Sequence, residues 1–149
     1  MWSDVLQHAE RLHLLRLCLW GAISTVGGTA VLIIAYRGQE SALLRRFGWV
    51  CGLLGIVELL LATLAYRGVP LRDISGATRL DRESWLQLGL YVGLTAVGVT
   101  LMLSSRVMKM RGEQVGGAPL PVTGTGVAIA LHGLALVTLE LLLIADVSR

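Results

Sequence analysis

The sequence predicts an all-α polytopic membrane protein, an antiparallel bundle of four transmembrane helices with short loops and an N-terminal interfacial helix. Three observations predict it. The 149 residues are 54% hydrophobic and only 15% charged, whereas an average globular chain carries about 25% charged residues. The mean hydropathy is +0.70. The charges gather between four apolar runs, each near the roughly 20 residues that cross a hydrocarbon core. Together these exclude a disordered chain, a nucleic-acid-binding domain and an ordinary soluble enzyme. Residues 1–149 read as one integral membrane domain.

The first dozen residues suit a short interfacial helix. Ser3 or Asp4 can cap it, and Trp2, Val5, Leu6 and Ala9 fall roughly on one face. The first span covers residues 12–36, with its unbroken apolar run from 17. The second covers 47–66, the third 85–105 and the fourth 122–145. Aromatic residues mark the span ends, with Trp20, Tyr66 and Trp85 expected near one membrane surface and Tyr36, Phe47 and Trp49 near the other. The tetrapeptide Ala-Tyr-Arg-Gly closes the first span at Ala35 and the second at Ala65. It reads as a shared helix ending: a Tyr anchor, a snorkelling Arg and a Gly able to take the left-handed cap. Residues 67–84 are expected as a loop, with the third helix starting at Asp81 or Ser84.

Early mixed charges, a long apolar run and no small-residue cleavage site argue against a signal peptide. Four spans put both termini on one side. The first and third loops carry Arg37, Arg45, Arg46, Arg106, Lys109 and Arg111 with few acids. The positive-inside rule then places those loops in the cytoplasm. Both termini are expected on the periplasmic side of a bacterial inner membrane. The net charge of +3 is accounted for by topology and headgroup contact, with no nucleic-acid partner.

In lipid, helices associate through close backbone approach and hydrogen bonds more than through apolar burial. Each span carries a stripe of small residues at helical spacing. They are Gly21, Thr25 and Gly28; Gly48, Gly52, Gly55 and Ala62; Gly89, Gly93, Ala96 and Thr100; and Gly126, Ala130 and Gly133. Packing within the bundle is the first reading of these stripes, and docking onto a partner's helix is the second. Ser24, Thr25 and Thr29 are expected to bond back to their own helix.

Two acids lie inside spans, Glu58 near the middle of the second and Glu140 in the last third of the fourth. A carboxylate there costs about 3 kcal/mol or more, so each is expected to be protonated, paired or facing protein or water. Glu140 shares a face with Gly126, Ala130 and Gly133. Counting about 1.5 Å per residue gives Glu58 and His132 similar depths, so they meet if the second and fourth helices are neighbours. The pair reads either as a bundle-locking hydrogen bond or as a proton-relay or quinone contact. His8 and His13 are placed at or outside the membrane surface, which leaves His132 without a second histidine for a haem. Glu-x-x-His repeats for a carboxylate-bridged metal pair are absent. Cys18 and Cys51 fall on the order of 15 Å apart, beyond the roughly 7 Å limit for a disulfide. No cofactor is expected. Asp73, Asp81 and Glu83, set among arginines, read as solvated loop charges.

Gly89-Leu90-Tyr91-Val92-Gly93, then Gly124-x-Gly126, His132-Gly133 and Glu140, resemble an uncharacterised family of small bacterial four-helix integral membrane proteins. The resemblance runs over about residues 14–145. That family carries an acid at the position of Tyr91 and an amide at that of His132. It has no known activity, so the resemblance implies architecture alone.

Short loops and spare small-residue faces point to a structural or accessory subunit of a larger membrane assembly, such as a respiratory or photosynthetic complex. Its partners would be the lipid bilayer and other membrane subunits or further copies of the chain. The alternative is a small oligomeric transporter or proton-conducting protein using Glu58, His132 and Glu140. An enzyme acting on lipid or quinone is disfavoured, because no cluster of His, Asp or Ser nucleophiles appears at a surface.

Overall fold

The computed structural model describes residues 2–38, 41–69, 74–111 and 119–147. These form four helices, α1 (Trp2–Arg37), α2 (Ala42–Arg67), α3 (Ile74–Arg111) and α4 (Pro119–Val147), with no strand among the described residues. All four are long and apolar enough to cross a membrane.

Two expectations about boundaries are corrected. The N-terminal segment is not a separate interfacial helix but the first turns of α1, with Leu6 and Ala9 buried and Val5 exposed. Nor is 67–84 a loop, because α3 begins at Ile74. Asp81 is therefore an exposed mid-helix residue and Ser84 a buried one, and neither is a cap; Asp73 lies outside the described residues. Glu83 accepts from Arg79 Nε at 2.7 Å, an i,i+4 pair. The physical reason is that hydropathy marks where a membrane could end, while a helix continues as long as packing and local pairs support it. At 36 and 38 residues, α1 and α3 run about 54–57 Å, well beyond a hydrocarbon core of about 30 Å.

Both Ala-Tyr-Arg-Gly segments end their helices. Gly38 donates its N–H to Ile34 and Gly68 to Ala65, each at 3.0 Å. Gly68 does so at φ −112°, so the expected left-handed cap is not used there. Ser41 caps α2 by accepting from the Leu44 N–H.

α1 packs on α2, α3 on α4, and α4 also lies against α2 and α1. The helices meet backbone to backbone at glycine. A methyl built on Gly28 would stand 2.5 Å from the Gly52 nitrogen, and one on Gly55 would stand 2.6 Å from the Thr25 nitrogen. Gly21 meets Leu59 and Gly55, and Gly48 meets Gly28 and Leu32. Partners rise in number on α1 as they fall on α2, the mark of an antiparallel pair. On the other side, Gly126 faces Gly98 and Met102, Gly133 faces Thr95, and Gly98 faces Ala130.

The expected stripe on α3 is corrected. Gly89, Gly93, Ala96 and Thr100 are exposed, and a methyl on Gly89 or Gly93 would meet nothing within 4 Å. α3 instead turns Thr95, Gly98, Met102 and Ser105 to α4, where the Ser105 and Thr123 hydroxyls bond at 2.6 Å. Thr25 and Thr29 bond back to Gly21 and Thr25 at 2.8 Å, as their sequence positions suggest. Cys51 is buried and Cys18 half-buried, both as free thiols.

Candidate functional site

The adjacency of α2 and α4 brings Glu58 and His132 together, with His132 Nε2 3.7 Å from Glu58 Oε2. That spacing is slightly longer than a direct hydrogen bond. His132 is 2% exposed. Trp20 tilts against its ring, with centroids 5.8 Å apart. Trp20 thus packs on His132, half-buried, and its indole Nε1 is buried without a hydrogen-bond partner. Tyr66 and Trp85 remain exposed.

Glu140 faces inward as its shared face with the small residues implies, and it is fully buried. Its neighbour is His13, whose Nε2 lies 3.4 Å from Glu140 Oε2. His13 is thus turned into the bundle, 4% exposed, and not into solvent. Leu6, Ala9, His13, Leu17, Gly21, Ser24 and Gly28 follow one another at steps of three and four, all buried. That spacing was the available sequence signal for an inward-facing His13. The early turns of α3 complete the cover, supplying the buried Leu80 and Ser84. Neither Glu140 oxygen has a well-formed hydrogen bond. The Ser84 hydroxyl approaches Glu140 as a further polar neighbour. Beside this pair, Arg16 Nη1 donates to Asp146 Oδ2 at 2.9 Å and ties α1 to the end of α4. His8 is exposed and takes no part.

α3 leans on α4 and makes no more than marginal contact with α1 or α2, so the seam between α2 and α3 stays open. A groove of about 600 Å³ runs there, with Leu54, Val57 and Glu58 on one wall, Gly89, Gly93 and Val97 on the other, and His132 and Leu136 at the floor. Toward the end that holds the chain termini lies a more polar cavity of about 390 Å³. Glu58, Leu90 and Tyr91 line both. The two histidine–carboxylate pairs can hold or pass protons, since each couples an acid to an imidazole. Among the described residues no three His, Cys, Asp or Glu side chains gather as a metal site.

No curated protein and no solved structure matches the sequence. The profile of a family of unknown function, DUF6992, matches residues 16–141. That range takes in both histidine–carboxylate pairs except His13, and the chain belongs to this family.

Proposed function

We propose that the protein is an integral membrane protein that serves as an accessory subunit of a larger membrane assembly, docking a partner helix at the α2–α3 seam. One observation carries this reading. Most of the bundle's small-residue stripes are consumed by internal packing, but Gly89 and Gly93 stand open beside a seam that α3 leaves unclosed. A Gly-x-x-x-Gly face lets a second helix approach closely, and in lipid that approach needs no large apolar burial. The helix ends bearing Arg37, Arg45, Arg46, Arg106 and Lys109 then face the cytoplasm, with the termini periplasmic.

The test is native electrophoresis and quantitative co-purification in mild detergent, for the parent and for Gly89→Leu and Gly93→Leu. The parent is expected to migrate as a complex that both variants lose while keeping their helical content. Migration of the parent as a free monomer would reject the reading.

A second reading has its own support. Two histidine–carboxylate pairs within the spans suit a proton-conducting or transport protein using Glu58, His132 and Glu140. It predicts pH-driven flux in proteoliposomes that Glu58→Gln and Glu140→Gln abolish, and absence of flux in the parent rejects it.

A further inference from the structure

We propose that the polar cavity at the termini end of the bundle is an aqueous vestibule that opens on the termini side of the membrane and ends at Glu58, so that this carboxyl group exchanges protons with one side only. The inference deepens the proton-conducting reading and rests on it only for the use to which the protons are put. The shape of the cavity carries it. About 390 Å³ lies between α1, α2 and α3, room for several waters. On α1 the wall steps inward from Glu10 through His13 to Leu17, and on α2 from Ala65 through Ala62 to Glu58. Such spacing keeps each row on one helical face, and each row descends about 10 Å. Glu58 itself lies about 13 Å below Arg67 at the end of α2, close to the middle of a hydrocarbon core of about 30 Å. A carboxylate at that depth is costly unless water or protein attends it. The outer part of the cavity is polar as well, with Glu10, Glu83 and the exposed Gln87. Glu83 is paired with Arg79 and Glu58 faces His132, but a paired carboxylate keeps lone pairs that accept from water.

A second observation is independent of the cavity's own lining. Past Glu58 the interior changes character. α1 and α2 meet backbone to backbone from Gly21 and Gly55 to Gly28 and Gly48, and Gly124 and Gly126 of α4 press on Leu43 and Gly98 in the same way. The groove on the far side of Glu58 is apolar apart from His132 and Tyr91. Water entering from the termini side therefore meets close-packed backbone and a hydrocarbon-lined groove once it is past Glu58. The two halves of the bundle differ in wetting, and Glu58 stands at their boundary because it lines both the cavity and the groove. The titratable groups that act on it are His132 of α4 at 3.7 Å, Tyr91 of α3 and His13 of α1, so its protonation is coupled to theirs.

The experiment uses the full chain carrying Cys18→Ala and Cys51→Ala, reconstituted in vesicles. Single cysteines are then reacted with a charged, membrane-impermeant methanethiosulfonate added to either side. A thiol reacts as its thiolate, which forms in water and not in hydrocarbon. Ala62→Cys lies on the cavity wall, and Leu60→Cys and Leu64→Cys bracket it in depth on the exposed outer face of α2. Ala62→Cys is expected to react from the termini side at least about ten-fold faster than either, and to be inert from the other side. Gln87→Cys against Leu86→Cys repeats the comparison on α3 should Ala62→Cys not fold. Leu54→Cys, past Glu58 in the groove, is expected to be inert from both sides. A lipid-soluble carbodiimide, which reacts with protonated carboxyl groups, should label Glu58 about ten-fold less when the termini-side buffer is made alkaline and unchanged when the opposite buffer is. Cavity and outer-face cysteines that react alike, reaction from the opposite side, a reactive Leu54→Cys, or Glu58 labelling that follows the opposite buffer would each overturn the proposal. Sided labelling in vesicles without proton flux would uphold the vestibule and reject conduction, so the two fail separately.

Discussion

Gly48 and Gly52 on α2 share the four-residue spacing of Gly89 and Gly93 on α3, yet the two motifs meet opposite fates. At the first, both glycines are buried, a methyl on Gly48 would stand 2.8 Å from the Gly28 oxygen and one on Gly28 2.5 Å from the Gly52 nitrogen, although one on Gly52 itself would meet nothing within 4 Å. At the second, both glycines are exposed and a methyl on either would meet nothing within 4 Å. One seam is a backbone-to-backbone contact, the other an open groove with Glu58 and His132 within it. The difference teaches that a glycine stripe reports the capacity for close approach, and that a neighbour's own stripe decides whether it is used. α1 answers α2 with Gly21 and Gly28. α4 answers a different face of α3, the one bearing Thr95 and Gly98.

Filling the closed seam should do the most damage. Gly28→Leu is expected to cost more than about 3 kcal/mol, because the obstructing atoms are backbone and cannot rotate away. Loss of a cooperative thermal transition in detergent would register it, and a stable Gly28→Leu protein would contradict the α1–α2 geometry. Next comes Gly98→Ala, a position outside the four stripes noted in the sequence. Its methyl would run into the Ala130 nitrogen and, at 2.7 Å, the Gly126 oxygen, for a loss of about 2 kcal/mol in reversible unfolding by denaturing detergent. His132→Leu strips Glu58 of its partner and should cost about 1.5 kcal/mol. Adding Glu58→Gln should return part of that, and strictly additive effects would show that the two side chains do not interact. The smallest effect lies at the open seam. Gly93→Ala should stabilise by up to about 1 kcal/mol through helix propensity, and a destabilisation there would mean that the seam is closed by a neighbour in the measured state.

Several parts of the site were legible in the residues. Depth counting along α2 and α4 put Glu58 opposite His132, because a helix rises uniformly and a membrane gives both helices a common origin. The inward face of Glu140 followed from its spacing to Gly133 and Ala130. Its partner did not. The unbroken apolar run starts at residue 17, so His13 reads as lying at or outside the membrane surface. The structure turns it into the bundle beside Glu140 of α4, a pairing between helices that the hydropathy of one segment does not register. Nor did the sequence indicate that the Trp20 indole packs on the His132 imidazole, a contact between distant helices.

Composition and periodicity alone fixed the class and number of the elements, since the cost of leaving backbone polar groups unpaired in hydrocarbon permits little but helices in such a sequence. They also fixed which residues on each helix are small enough for contact. Only the tertiary structure decided which of those faces are paired, that α3 turns Gly98 and not Gly93 to α4, and that His13 and Glu140 are neighbours. The reason is geometric. A helix carries every face its sequence writes around it, and the face that is buried depends on the rotation and partner it finds, which no single segment encodes.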